Sequence, residues 1–284
     1  MAGEHEIIDL GAWLETPAGQ CMLRWEQAWL DATLSDVFGF HALQLGLPEM
    51  DGLRTNRMPH RWLACESQGA TLPIVVAPAA DATASVLPVG PAALRCQPEA
   101  LPFPDQSLDL VLLPHTLELA LDPHLALAEA ARVLRPEGRL VVTGVNPVSL
   151  WIARQKAGRL RRHAGLGGGP LFLPPAGEAI GYWRLRDWLR LLHIEPEQAR
   201  FGCYRWPCRS ERWLDRVAWM ESIGERWWPV FGAVYMLQAV KRVRGVRLVG
   251  LQPAAPGRLS PTPAALTRHR LPPGPTCRDN ARHE

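Results

Sequence analysis

His115 stands in the stretch "LPHTLELALDP", ahead of two acids, Glu118 and Asp122. An imidazole ionises near working pH, so His115 is the side chain suited to move a proton as a general base. Asp122, directly before Pro123, reads most simply as a helix N-cap. A second feature is the basic run Arg154, Lys156, Arg159, Arg161, Arg162 and His163, followed by Gly165, Gly167, Gly168 and Gly169. It could be a mobile lid that selects an anionic acceptor or RNA, or a solvated helix face with a flexible linker. No aromatic residues interleave its charges, as stacking on bases would require. A third is "HALQLGLPEMDGL", His41 to Leu53. It sits where a nucleotide-binding α/β domain puts its first strand and Gly-rich turn, yet has almost none of the glycines that such a turn needs. The six cysteines, Cys21, Cys65, Cys96, Cys203, Cys208 and Cys277, show no CxxC pair and no His at metal-ligand spacing. They read as reduced, mostly buried thiols, and no metal site is expected.

The elements that must position these residues follow from periodicity. From Ile7 to Phe38 the residues Trp13, Leu14, Met22, Trp25, Trp29, Leu30, Leu34 and Phe38 recur at three- and four-residue steps, with a break at Pro17. That pattern predicts a helical hairpin or one broken amphipathic helix. A region rich in Pro, Ala and small residues follows, with short apolar runs at Leu72 to Ala77 ("LPIVVA") and Ser85 to Val89. Then "AALRCQ", "LDLVLL" and "RLVVTGV" predict strands, and "HLALAEAARVL" a helix that "RPEG" ends. The apolar strands lack strict alternation, as strands buried on both faces of a parallel sheet do. Further on, "WRLRDWLRLL" predicts a helix, "EPEQARFGCYRW" a strand, "RSERWLDRVAWMESIGERWW" one more helix and "GAVYMLQAVKR" a last strand, reached by an antiparallel return. This alternation is the signature of an α/β doubly wound fold.

Bulk properties bound the function. No run of about 18 uncharged apolar residues appears, and "MAGEHEIIDL" carries charges where a signal peptide needs apolar residues. A soluble cytoplasmic protein with no membrane partner is therefore expected. Five of the 31 basic and two of the 28 acidic residues lie beyond Pro253, so the tail carries the whole net charge of +3 and the body is neutral. A neutral body argues against nucleic acid as the partner. The segment from Leu251 has seven prolines in 34 residues and reads as disordered. Seven of the twelve tryptophans lie between Trp183 and Trp228; they could fill the core, line an apolar acceptor pocket or meet a protein partner.

The segment "CQPEALPFPDQSLDLVLLPHTLELALDPHLALAEAARVLRPEGRLVVTGVNPVS" resembles the central part of class I S-adenosylmethionine-dependent methyltransferases. Their pattern there is an acid followed by "LPF", a "D-S-F-D-V" strand, an "H-x-L-x-H/W" turn, "D-P", and "RVLKPGG" before the fifth strand. More narrowly, "PHTLELALDPHLALAEAARVL", "VTGVNPVSLW" and "WLETPAGQ" are similar to a bacterial subfamily of type 11 methyltransferase-like proteins. Residues 38 to 244 can be laid on the fold, with "WRLRDWL" and "YMLQAVKR" falling where the family has its sixth and seventh strands. The resemblance implies a Rossmann-like α/β fold: a doubly wound, mostly parallel seven-stranded sheet with helices on both faces. A helical segment over residues 1–37 would precede the domain over 38–250, and the Pro/Arg-rich tail over 251–284 would follow it.

The resemblance also places the sites, because this fold binds its ligand at the carboxyl ends of the central strands. After the first strand the family has an acid and three glycines; here the acid slot is Gln44, and the glycine slots are Gly46, Pro48 and Met50. Pro48 has no N–H, Met50 is bulky, and Gln44 lacks a carboxylate for the cofactor ammonium. The turn is thus degenerate, with Asp51 and Gly52 available for a shifted one. If "LPIVVA" is the second strand, the ribose acid falls near Ala77 and Pro78, and Asp81 is the nearest candidate. After the third strand Gln97 would accept from the adenine amine, edged by Glu99, Ala100 and Leu101. Pro114, His115 and Thr116 would face the sulfonium and the acceptor, and Asn146 and Pro147 would line the acceptor pocket.

Two functions follow from the resemblance. One is an S-adenosylmethionine-dependent methyltransferase acting on a small-molecule acceptor, with His115 as general base or as pocket wall. The other is a methyltransferase-like protein without catalysis that binds a protein partner through its N-terminal helices or Trp-rich face.

Overall fold

The structure, a computed structural model, describes residues 10–65, 92–165, 172–173, 179–207, 211–217 and 219–242. Seven strands form one sheet: β1 (His41–Leu45), β2 (His60–Cys65), β3 (Ala92–Arg95), β4 (Leu108–Pro114), β5 (Leu134–Val145), β6 (Ile194–Gly202) and β7 (Val234–Lys241). Their order is β3-β2-β1-β4-β5-β7-β6. The first five lie parallel, and β7 runs antiparallel to both β5 and β6. The second strand is His60–Cys65, upstream of "LPIVVA", which with Asp81 and the tail lies outside the described residues.

The helices are α1 (Leu10–Leu14), α2 (Pro17–Leu34), α3 (Thr116–Leu119), α4 (Pro123–Val133), α5 (Leu150–His163), α6 (Tyr182–Leu191), α7 (Glu211–Arg216) and α8 (Trp219–Trp227). The N-terminal segment is a broken helix, because Thr16 caps α2 through a bond from Gly19 N, and Pro17 fits the first turn, where no N–H is needed. Asp122 caps α4 by accepting from His124 N and Leu125 N. "WRLRDWL" is helix α6, so the sixth strand is the following Ile194–Gly202. The Trp-rich stretch forms two helices, α7 and α8, instead of one; Gly224 in α8 approaches Tyr204 so closely that a Cβ there would lie 2.3 Å from its ring.

Alternate residues of β4 feed two cores. Leu110 and Leu112 pack with Leu30 and Leu34 of α2 and Trp151 of α5. Val111 and Leu113 pack with Ala126 and Leu127 of α4 and Leu185 and Leu189 of α6. Helices therefore cover both faces, which explains strands that are apolar throughout. Among the described residues no helix is long and apolar enough to cross a membrane.

Candidate active site at the carboxyl edge of the sheet

The strand order reverses between β1 and β4, so the chain leaves these neighbours in opposite directions and a crevice opens at their carboxyl ends. The turn that leaves β1 is built around Gln44. Its side-chain Nε2 donates to the carbonyls of Gly46, Leu47 and Met50 at 3.3, 3.1 and 2.7 Å, and its Oε1 accepts from Gly52 N at 2.9 Å. Gln44 is 2% exposed, so its amide is spent on the turn. Gly46 (φ +86°) and Leu47 (φ +47°) are both left-handed. Leu47 and Met50 point into the core beside α2, while Pro48 is exposed. Thr116 ties the two strand ends together, its hydroxyl donating to Leu45 O.

At the end of β4 lies a buried group of three ionisable side chains. His115 Nε2 lies 2.8 Å from Glu26 Oε1 of α2, and His115 Nδ1 lies 3.0 Å from Glu118 Oε2. The three are 1%, 0% and 8% exposed. Burial alone would depress the imidazole, but the charges and hydrogen bonds of Glu26 and Glu118 outweigh it and push its pKa up to about 10. With the ring protonated and both carboxyls ionised, the group carries one net negative charge. Glu118 Oε1 also accepts from Val145 N at the end of β5. Glu26 Oε2 is buried and has no hydrogen-bond partner among the described residues.

A raised histidine pKa makes stability depend on pH with a definite sign. The stabilisation is fully present below about pH 6.5, the unfolded value, and is lost as pH rises towards about 10. The urea midpoint of the protein should fall steadily between these pH values; a flat midpoint would contradict a charged His115.

The remaining predicted residues are held in different ways. Gln97 and Ala100 close a tight turn after β3, with Gln97 and Ala100 exposed. Glu99 Oε1 accepts from Asp122 N, and Leu101 N donates to Glu129. Pro114, His115 and Thr116 lie side by side at the end of β4, against Gly46. Asn146 braces the approach to β7: its Nδ2 donates to Val230 O and Gly232 O at 2.7 and 2.9 Å. Pro147 lies beside Gly181 at the start of α6. The structure thus gathers Gly46, Pro114, His115 and Thr116 at one point and ties the turn from Gln97 to Leu101 to α4 through Asp122 and Glu129.

Glu26 is absent from the residues expected at the site. Its signal is nevertheless in the sequence: it occupies the stripe Met22, Glu26, Trp29, Leu30 on the inner face of α2, where an acid needs a partner. Nothing local says which partner, since His115 is 89 residues away.

Residues 67–142 match a family model described as "Methyltransferase domain". A relative, the uncharacterized protein YafS of Escherichia coli (strain K12), is 30% identical over 201 residues, covering 70% of this chain and 72% of its own. Two solved structures share the fold with a TM-score of 0.51 each. One, from the complex between the Haloferax volcanii Trm112 methyltransferase activator and a methyltransferase, is 16% identical over 84% of this chain and 98% of its own. The other, an S-adenosylmethionine-dependent methyltransferase of Thermotoga maritima, is 14% identical over 82% and 94%. With the seven-stranded sheet and the motifs between Cys96 and Ser149, these matches show that the chain belongs to the class I S-adenosylmethionine-dependent methyltransferases.

Proposed function

We propose that the protein is a working S-adenosylmethionine-dependent methyltransferase whose cofactor turn has been rebuilt around Gln44, and that its acceptor is a small molecule. The observation that carries this reading is the turn itself. A decayed loop would leave polar groups unpaired, whereas here one buried amide answers three carbonyls and one N–H. A carboxylate could not do this, which gives a physical reason for glutamine in the acid slot.

The residues present fit the cofactor on charge and space. Gly46 leaves the turn without a side chain, and a Cβ there would come within 3.1 Å of Thr116 Oγ1. The buried Glu26 Oε2 has no hydrogen-bond partner among the described residues, and a cationic group is its natural complement. Gly46, Pro114 and Gln97 to Leu101 would hold the cofactor, with Asp81, or Glu66 directly after β2 in the chain, as the acid for the ribose. When bound, S-adenosylmethionine supplies an electrophilic methyl group. The chain's own part is to position the acceptor and strip its nucleophile of water, which accounts for much of the rate in direct displacements. His115, with both ring nitrogens held by carboxylates, serves as a fixed charge in the wall.

Isothermal titration with S-adenosylmethionine and with S-adenosylhomocysteine tests the reading. Micromolar binding of either is expected, and Met50→Gly should not strengthen it, because Met50 is a core side chain here. Silence up to millimolar ligand overturns the proposal. It would favour the second reading, a non-catalytic domain that meets a protein partner, which is supported by the full engagement of Gln44 within its own turn.

A further inference from the structure

The tryptophans from Trp206 to Trp228 do not fill the core. Trp206, Trp213, Trp219, Trp227 and Trp228 are 51–70% exposed, and Val230 and Phe231 beside them are 40% and 49% exposed. Soluble surfaces rarely gather so much large apolar area, and where they do it marks a contact.

Three of these side chains, Trp219, Trp228 and Phe231, border an opening. A cavity of about 390 Å³ is lined by Leu150, Tyr204, Trp219, Ile223, Trp228 and Phe231. The Tyr204 hydroxyl on its wall is already committed to Pro229 O. Such a cavity is matched to hydrocarbon and not to a polar ligand.

Leu150 is also the first residue of α5, which places the basic helix beside the aromatic rim. The start of α5 is bonded to the Trp206 segment: Trp151 Nε1 donates to Arg205 O, and Arg154 to Pro207 O. Gln155 is buried and bonded to Phe172 and Leu173, and beyond it the helix presents its charges to solvent. Lys156, Arg159, Arg161 and Leu160 are exposed, and no acidic residue occurs from Leu150 to Gly165.

Exposed tryptophan beside a purely cationic helix is the combination that suits the headgroup layer of an anionic bilayer. Tryptophan prefers that interface, and each Lys or Arg held near an anionic surface adds about 1 kcal/mol. Nucleic acid fits less well, since Val230, Ile223 and the apolar cavity offer nothing to bases, and Glu221 and Glu225 stand among the tryptophans. That no helix among the described residues can cross a membrane bears on insertion and not on surface docking.

We propose that this face docks the protein on an anionic lipid bilayer, with the exposed tryptophans at headgroup level, α5 over the lipid charge, and an acyl segment entering the cavity. The inference is independent of methyl transfer, and its test reads no activity. The full chain is sedimented with vesicles of phosphatidylcholine alone and of phosphatidylcholine with phosphatidylglycerol, and tryptophan emission is followed on mixing. At least tenfold tighter binding to the anionic vesicles is expected, with a blue shift of the emission and weakening in salt. The double charge reversal Arg159→Glu with Arg161→Glu should remove at least tenfold of the affinity. Trp227→Ala with Trp228→Ala should also weaken binding and diminish the blue shift, and both variants should keep the wild-type urea midpoint because the altered side chains are exposed. Equal binding to the two vesicle types, no binding at millimolar lipid, or tighter binding to a single-stranded RNA oligonucleotide than to the anionic vesicles would overturn the proposal.

Discussion

Replacing His115 by alanine should lower the stability of the fold by about 3–5 kcal/mol, the usual consequence of removing one partner from a buried charge network. For a domain of this size that is a fall of roughly 6–20 °C in the unfolding midpoint. The reason is what remains. Glu26 is 0% and Glu118 8% exposed, and without the imidazolium their carboxyls face one another with no compensating charge. Glu26→Gln should be clearly milder, because its amide oxygen can still accept from His115 Nε2 while the net charge of the group falls from minus one to zero. Thermal and urea unfolding of both variants measures the difference. If His115→Ala unfolds with the wild-type midpoint, the three side chains do not form a charged network.

The same group shows what was legible in the sequence and what was not. His115 was legible, because a histidine after a fourth strand stands where the family places its ligand. Its surroundings were not, since Glu26 comes from α2, 89 residues away in the chain. Three of the central strands were legible for a simple reason: "LDLVLL", "RLVVTGV" and "YMLQAVK" are buried on both faces, and their apolar runs say so. β2 was not. In "HRWLAC" only the last residues are apolar, and its first half is held by rings: His41 stacks on His60 and on Trp62, with centroids 5.0 and 5.3 Å apart. An apolar run such as "LPIVVA" looks more like a strand than a ladder of histidine and tryptophan does. Reading β2 at His60–Cys65 also moves the end of the second strand to Cys65. The tryptophans between Trp206 and Trp228 misled in the opposite way: their helical spacing suggests an inward stripe, yet the structure turns them outward.

Gln44 is where a family pattern and the physics of this chain part most clearly, and Gln44→Glu separates them. The substitution restores the acid that the family carries in this slot, so if the turn were a damaged remnant, cofactor binding should improve. The structure leads to the opposite result. Glutamate keeps an oxygen for Gly52 N, but it sets its other oxygen against the carbonyls of Gly46, Leu47 and Met50, all of which now receive a donor. Three carbonyls that shared the amide's two protons, left around a charge that is 2% exposed in its glutamine form, should cost at least about 3 kcal/mol. The burden eases in acid, because a protonated carboxyl can donate again: burial and the facing carbonyls raise its folded pKa, so the gap from wild type should narrow as pH falls and widen as it rises. Titration with S-adenosylmethionine should show weaker binding than wild type, because the loop that bounds the crevice no longer holds its shape. A Gln44→Glu protein with unchanged stability and tighter cofactor binding would mean that the amide is a passenger in the turn. Lost stability that is partly recovered in acid would mean that the amide organises it, and that the missing glycines have been replaced by a different way of making the same bend.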